Sequence, residues 1–389
     1  MNAHVPVLNM TVGSFLARTA LILIVILWTL PTFGLLISSL RDKDQLPISG
    51  WWTSLQNTQA NEQGRVAEAV TQVQNAAGQY AITGNVFPAG SSKTVNSFGG
   101  GAFGGEITAN EAGSTIELAD GQTFQLNADG SYVFTSPTPF EFERGPRFFY
   151  VANIPPTFSL ANYITVLNAE GIGRSFINTF TVTIPATIIP IAIAAFASYA
   201  FAWMEFPGRQ LLFIIVVGLL VVPLQMSLIP LLRFYNNVGE VLGVAAKSYP
   251  GIWLAHTGFG LPLAIYLLRN YIGGLPRELI ESAKIDGASH FQIFVRLVLP
   301  LSIPALAAFA IFQFLWVWND LLVALVFLDK SESQIVMTSR LRELLGTRAD
   351  SWEILTSGAF ISMAVPLIVF FSLQRYFVRG LLAGSVKGG

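Results

Sequence analysis

Apolar residues in this chain gather in long runs broken by short polar stretches, and strict alternation is confined to one region. A helix that crosses a bilayer needs about 20 mostly apolar residues. Six runs meet that length: Ala20 to Leu40, Phe176 to Met204, Leu211 to Leu232, Ile252 to Tyr271, Leu301 to Leu328 and Ser357 to Phe377. Pro223 and Pro230 fall inside the third run, and prolines are tolerated in membrane helices because neighbours satisfy the freed carbonyls. The first run exceeds the apolar core of a signal peptide, about 7–15 residues, and no small-residue cleavage site follows it. It therefore reads as an uncleaved span.

Between the first two spans lie residues 41–174, with no run long enough to cross. Val66, Ala69, Val70, Val73, Ala76, Ala77 and Tyr80 recur at helical spacing and predict one amphipathic helix. Further on, Ile116 and Leu118, Phe124 and Leu126, and Tyr132 and Phe134 alternate, with Asp120-Gly121 and Asp129-Gly130 between the pairs. Asp-Gly between alternating runs predicts a meander of about three short strands. The Gly-rich stretch Ser97 to Gly105 reads as a flexible linker between helix and strands. The expected architecture is an all-α membrane protein of six transmembrane helices with a small mixed α/β extracytoplasmic insert. Its segments are 1–40, the cytoplasmic N-terminus and first helix; 41–174, the insert; and 175–389, a five-helix core.

Composition sharpens this picture. The 389 residues are 52% hydrophobic and only 12% charged, about half the charge of an ordinary soluble domain, so lipid is the expected solvent. A formal net charge of −1 gives no reason to expect nucleic acid. The absence of cysteine excludes disulfides, thiol catalysis and cysteine-held metal, and His4, His256 and His290 are too scattered to suggest a metal site by spacing. With the N-terminus placed in the cytoplasm, nine Lys and Arg residues fall inside and six in the short outer loops, a modest bias toward that orientation with both termini cytoplasmic.

The motifs narrow the function. Gly99 to Gly104 formally matches G-x-G-x-x-G, but its polar, Gly-rich neighbours offer no strand-turn-helix context for a nucleotide. No G-x-x-x-x-G-K-[ST] loop occurs, so any ATP hydrolysis belongs to another polypeptide. No nucleophile–base pair presents itself either, which leaves little support for an enzyme. The informative stretch, about 272–300, lies between the fourth and fifth spans. Pro276 suits the first turn of a helix, Arg277 and Glu281 stand four apart on one face, and Gly287 can end the helix left-handed. Ser289 and Gln292 form a possible capping box for a second helix carrying Phe291, Phe294, Leu297 and Val298, which Pro300 closes. The shape is a helix, a sharp turn and a second helix, suited to docking into a partner's cleft; an ordinary amphipathic loop has the same composition.

Here the residues resemble a known family. Glu281, Ser282, Ala283, Asp286, Gly287 and Ala288, followed by Phe294, Leu297, Leu299 and Pro300, are similar to the E-A-A-x-x-D-G-A … F-x-x-I-x-L-P loop of ABC importer permeases, with Ser282 for an alanine and Leu297 for the isoleucine. Trp318-Asn319-Asp320 looks like the W-N-D of carbohydrate permeases. Gln374 to Gly388 resembles the C-terminus of the smaller, maltose-type sugar permease subunit. The resemblance covers the first span and Ser159 onward; a long insert after the first helix looks most like the alpha-glucoside branch. It implies half of the pathway of a binding-protein-dependent sugar importer in a bacterial inner membrane. The implied partners are a second permease subunit forming a heterodimer, an ATPase dimer that carries ATP and Mg, an extracytoplasmic sugar-binding protein and the lipid bilayer. The chain itself binds no cofactor or metal and is not an enzyme. By the same resemblance Glu281 is the acidic contact of a coupling helix, Gly287 its turn, and the tail with Gly384, Val386, Lys387 and Gly388 reaches toward the ATPase; fraying is the plain alternative for a terminus.

Asn319 and Asp320 sit in or near the end of an apolar span, where ionisable groups are costly and mark functional sites by default. With Trp316 and Trp318 they offer the amide, carboxylate and aromatic groups that sugars bind. An interhelical hydrogen-bond pair is the equal alternative. The substrate reading is an alpha-glucoside such as maltose, trehalose or sucrose. Beside it stand a permease for another polar solute and a stand-alone secondary transporter, for which Asp320 alone makes a thin relay.

Overall fold

The computed structural model describes residues 4–5, 10–75, 78–168, 171–347 and 351–385. The chain divides into two compact units, Met1–Asn162 and Tyr163–Gly389.

The first unit opens with a short pairing of β1 (His4–Val5) and β2 (Met10–Thr11). The long helix α1 (Val12–Leu40) follows, started by the Thr11 hydroxyl accepting from the Ser14 N–H at 3.3 Å. Its side chains are exposed along nearly the whole apolar run, as a lipid-facing helix requires. The insert then builds two antiparallel sheets. One has the order β4 (Val73–Gln74), β5 (Tyr80–Asn85), β10 (Ser131–Ser136), β9 (Thr123–Leu126) and β8 (Thr115–Glu117). The other has the order β3 (Thr58–Arg65), β11 (Arg147–Ile154), β6 (Thr94–Gly99) and β7 (Asn110–Glu111). Inward faces of both sheets share one core in which Phe98, Phe103, Phe124, Phe134 and Phe148 meet edge-on or tilted. The meander read from the Asp-Gly pairs is present as β8, β9 and β10, and Asp120, Gly121 and Gly130 adopt the positive φ those turns need.

Two expectations for the insert are overturned. No α-helix runs from Val66 to Tyr80 among the described residues; the stretch holds a single 3-10 turn at Ala69–Thr71, then β4, and Tyr80 opens β5, while Ala76 and Ala77 lie outside the described residues. From Arg41 to Ser159 the described residues hold strands and 3-10 turns, and the α-helix of the 41–174 segment is α2 at its C-terminal end, Ala161–Asn168. The reason that Val66 to Tyr80 is not helical is tertiary: Gln72 donates to the Phe140 carbonyl and accepts from the Phe140 N–H, at 3.2 and 2.8 Å, across 68 residues. Val70 and Val73, apolar at helical spacing, point into solvent instead. Nor is Ser97 to Gly105 a linker. Phe98 and Phe103 are buried, and a Cβ on Gly99 would lie 2.1 Å from the Glu106 carbonyl oxygen. Glycine is there because backbone passes against backbone. Gly99→Ala is therefore expected to destabilise the insert by about 1–3 kcal/mol or more, read as faster protease cleavage within residues 41–160 while the remaining helices stay intact.

The second unit begins with α2 (Ala161–Asn168) and α3 (Ile172–Trp203). Then come α4 (Arg209–Gly218), α5 (Leu224–Leu242) and α6 (Tyr249–Gly273). After α7 (Arg277–Ile285) a continuous turn of helix comprises α8 (His290–Ile293), a π-helical stretch Phe294–Val298 and α9 (Leu299–Leu301). The chain ends with α10 (Ile303–Trp318), α11 (Leu322–Phe327), α12 (Met337–Thr347) and α13 (Trp352–Ser385). α3 lies along α6, and α10 packs between α13 and α3. Among the described residues four helices are long and apolar enough to span, α1, α3, α6 and α13; six spans are reached if each of two bent pairs counts as one.

The bends follow from proline. The third expected run is not one helix: it turns by 107° before α5, where Val222 is extended ahead of Pro223. Pro230 stays within α5. At the head of the fifth expected run the helix bends by 70° at Ser302, and the run itself is broken after Trp318 into α10 and α11. Pro300 has no N–H to offer the carbonyl of Arg296, and the π stretch instead closes Leu299 N–H onto the Phe294 carbonyl. Helix therefore continues through Pro300 rather than closing there.

Candidate functional site

The loop between α6 and α10 is a firmly mounted knob. α7 ends in a Schellman turn: the Ala288 N–H donates to the Ala283 carbonyl and the Gly287 N–H to the Lys284 carbonyl, both at 3.0 Å, with Gly287 at φ +79°. Ala283 and Ala288 pack half-buried beneath that turn, which explains why both positions take a small residue. The capping box on α8 is formed by Ser289 and Gln292. Ile280, Ile293, Phe294 and Val298 are buried against Tyr199, Leu268, Ile272 and Phe309 of α3, α6 and α10. Phe294 and Val298 thus face inward as expected, whereas Phe291 is exposed. The Tyr199 hydroxyl lies 3.0 Å from His290 Nδ1, and the Trp203 indole donates to the Ile272 carbonyl at 3.0 Å.

Everything not used in mounting is presented outward. Glu281, Ser282, Lys284, Ile285, Asp286 and Gly287 are exposed, and Ile285 at the tip is 86% exposed. No ion pair joins Arg277 to Glu281 among the described residues, so both charges face away free. Leu299 and Pro300 lie where α9 meets the bend. Gly384 falls near the end of α13, and Val386, Lys387 and Gly388 lie outside the described residues.

The polar residues of the fifth run separate into different environments. Trp318 is buried, stacks on Phe314, meets Phe180 and Phe176 edge-on, and donates from its indole to the Ser362 carbonyl of α13 at 2.8 Å. Trp316 is half-buried, its ring edge-on to His256. Asn319 is exposed and donates to the Leu315 carbonyl at 2.8 Å. Asp320 interrupts the helix and caps α11, accepting from the Leu322 and Val323 N–H groups at 3.1 and 3.0 Å.

Sequence reasoning missed the partner of Asp320. His256 Nε2 of α6 lies 3.6 Å from the Asp320 carboxylate, and both groups are largely buried. A cavity of about 10 Å³ beside them, also lined by Thr179, Thr183 and Trp318, has room for a single water. His256 Nδ1 and the Thr183 hydroxyl are buried without a hydrogen-bond partner among the described residues. The available signal was an imidazole within an apolar run, since intramembrane ionisable groups pair with one another. A larger cavity of about 480 Å³ lies next to α11 and α12, with Lys247, Asp329, Lys330, Arg342 and Glu343 around an apolar floor of Leu325, Leu328 and Ile335. Asn178 of α3 holds its wall, donating to the Ile335 carbonyl at 2.9 Å.

A sequence profile of the family described as binding-protein-dependent transport system inner membrane component matches residues 196–382. The alpha-glucoside transport system permease protein of Rhizobium meliloti is 60% identical over 370 residues, covering 95% of this chain and 96% of that protein. The chain belongs to this family of importer permeases. The profile takes in the whole α7–α9 knob and the Trp318–Asp320 corner, and it leaves the insert outside. An osmoprotective compounds uptake permease protein of Synechocystis sp. is 63% identical over 230 residues, 59% of this chain and 76% of that protein. The crystal structure of a bacterial ABC transporter involved in alginate import aligns with a TM-score of 0.47 at 23% identity, over 58% of this chain and 82% of that one.

Proposed function

We propose that this permease forms half of the translocation pathway of an ATP-driven, binding-protein-dependent importer of alpha-glucosides such as maltose, trehalose or sucrose. The observation that carries the substrate class is the 60% identity to an alpha-glucoside permease over 95% of the chain, a span that takes in the β insert as well as the core. A second permease subunit supplies the other half of the pathway. An ATPase dimer holding ATP and Mg receives the α7–α8 knob, with Glu281 as its acidic contact and the C-terminal tail from Gly384 beside it. A sugar-binding protein delivers substrate to the outer face, where the charged wall of the 480 Å³ cavity suits a protein contact. Both termini lie in the cytoplasm. Of the four residues weighed for the sugar path, Asn319 is the exposed one and Trp318 the one enclosed in packing.

A second reading, import of another polar solute, is compatible with the 63% identity to an osmoprotective compounds uptake permease protein. One experiment separates them. The tagged chain is purified in mild detergent from its native membrane with its copurifying proteins, and the assembly is reconstituted in vesicles. An ATPase and a second permease in the eluate, with ATP-dependent uptake of a labelled alpha-glucoside, is the expected result. ATP-dependent uptake of a labelled polar solute that is not an alpha-glucoside, with none of the sugar, selects the second reading. A chain that purifies alone and moves solute without ATP is a secondary transporter, and the importer reading fails.

A further inference from the structure

The end of α1 is built as a rigid hairpin. Arg41 is buried and donates to the Ser49 carbonyl at 2.9 Å, to the Gln45 carbonyl at 3.3 Å and to the Ser49 hydroxyl. Gln45 donates to the Pro155 carbonyl at 2.6 Å, and Asn162 donates to the carbonyls of Ser39 and Arg41 at 3.0 and 2.7 Å. These bonds turn the chain back so that Trp51 lies against α1. A Cβ on Gly34 would meet the Trp51 indole at 2.5 Å, and Phe33 meets it edge-on at 6.0 Å. Gly34 is six residues before the end of α1, about 9 Å down the axis at 1.5 Å per residue. The apolar run of α1 continues beyond that level to Leu40, so Trp51 lies alongside the run rather than past its end.

The rest of the returning segment fits that depth. Asp42, Lys43 and Asp44 occupy the top of the hairpin, and no charged residue follows from Gln45 to Leu55. Trp52 is 74% exposed and Leu55 80% exposed, with Ile48 also exposed. Neither tryptophan indole N–H has a partner among the described residues, although each ring is fixed, Trp51 on Gly34 and Trp52 over Gly50. An apolar ring with a free N–H suits the layer where acyl chains meet headgroups.

We propose that residues 46–55 form an interfacial strap whose ligand is the headgroup–acyl boundary of the leaflet at the C-terminal end of α1. Trp52, Leu55 and Ile48 insert there, and the Arg41 hairpin transmits that anchorage to the root of the β insert. The inference rests on α1 being a membrane span, and continuity with α1 is what selects lipid over a protein partner.

The chain has no cysteine, so single-cysteine spin labels report cleanly. Leu55→Cys is compared with Ile24→Cys on the exposed face of α1 and Glu117→Cys on the insert, in the full assembly reconstituted in liposomes. Collision rates with oxygen and with a water-soluble nickel chelate are read for each. The strap predicts an oxygen-to-nickel ratio for Leu55 between those of the two references and at least several-fold above Glu117. A ratio equal to that of Glu117 means water, and low access to both reagents means a protein cover; either overturns the proposal. Should Ile24 itself report water, the membrane reading of α1 has failed, a result distinct from failure of the strap.

Discussion

Gly287→Pro is expected to lower coupled uptake at least tenfold while leaving the spans folded. Gly287 sits at φ +79°, and proline is locked near −65°. The substitution also removes the N–H that donates to the Lys284 carbonyl. Both halves of the Schellman turn are lost, and the exposed tip from Glu281 to Asp286 swings relative to its mount. The mount itself is made by Ile280, Ile293, Phe294 and Val298, which the change does not touch. Gly287→Ala is the graded control. A Cβ there meets nothing within 4 Å, so only left-handed strain of about 1–2 kcal/mol applies, and uptake should fall partially. ATP-dependent uptake and ATP hydrolysis in proteoliposomes, together with the unfolding temperature in detergent, decide the matter. Normal uptake by the proline variant would remove the coupling role from this knob.

Trp318→Ala should be the most destabilising single change in the helical unit. The indole is buried among Phe314, Phe180 and Phe176, and its N–H is spent on the Ser362 carbonyl. Emptying such a site costs about 3–5 kcal/mol, read as a lower unfolding temperature and less assembled protein in the membrane. Trp318→Phe retains much of the packing and loses the N–H donor, so its loss should be smaller. Any folded Trp318→Ala protein should keep its sugar affinity. An unchanged unfolding temperature with weakened sugar affinity would instead put Trp318 on the substrate path. Asn319, exposed one residue later, carries the complementary expectation: Asn319→Ala should alter uptake kinetics with little effect on stability.

The knob was legible in the sequence because its determinants are local. Gly287 and the Ser289–Gln292 pair act within one or two turns of helix and do in the structure what their residue types dictate, while Pro276 stands just before the first turn, as the N-cap of α7. The β meander was legible for the same reason, since Asp-Gly specifies its own backbone. The helix expected from Val66 to Tyr80 failed because its apolar spacing had no long-range competitor in view. Gln72 binding Phe140, 68 residues away, holds that stretch extended. The Gly-rich run was misread likewise, because the carbonyl that crowds Gly99 comes from Glu106, brought back against it only by the turn of the folded chain.

By itself, the sequence determined the solvent and the class of element. Runs of apolar residues long enough to cross a bilayer need no partner to be recognised, because each helix satisfies its own backbone. It also determined the shape of the α7–α9 knob, through caps and a left-handed glycine. Only the tertiary structure decided which polar groups meet. His256 and Asp320, 64 positions apart, come within 3.6 Å because α6 and α11 pack together. It alone separated enclosed Trp318 from exposed Asn319, two neighbours in one motif. It also placed Trp51 against Gly34, because a buried arginine turns the chain back along α1. Burial and pairing are properties of what lies across the fold, and no local pattern encodes them.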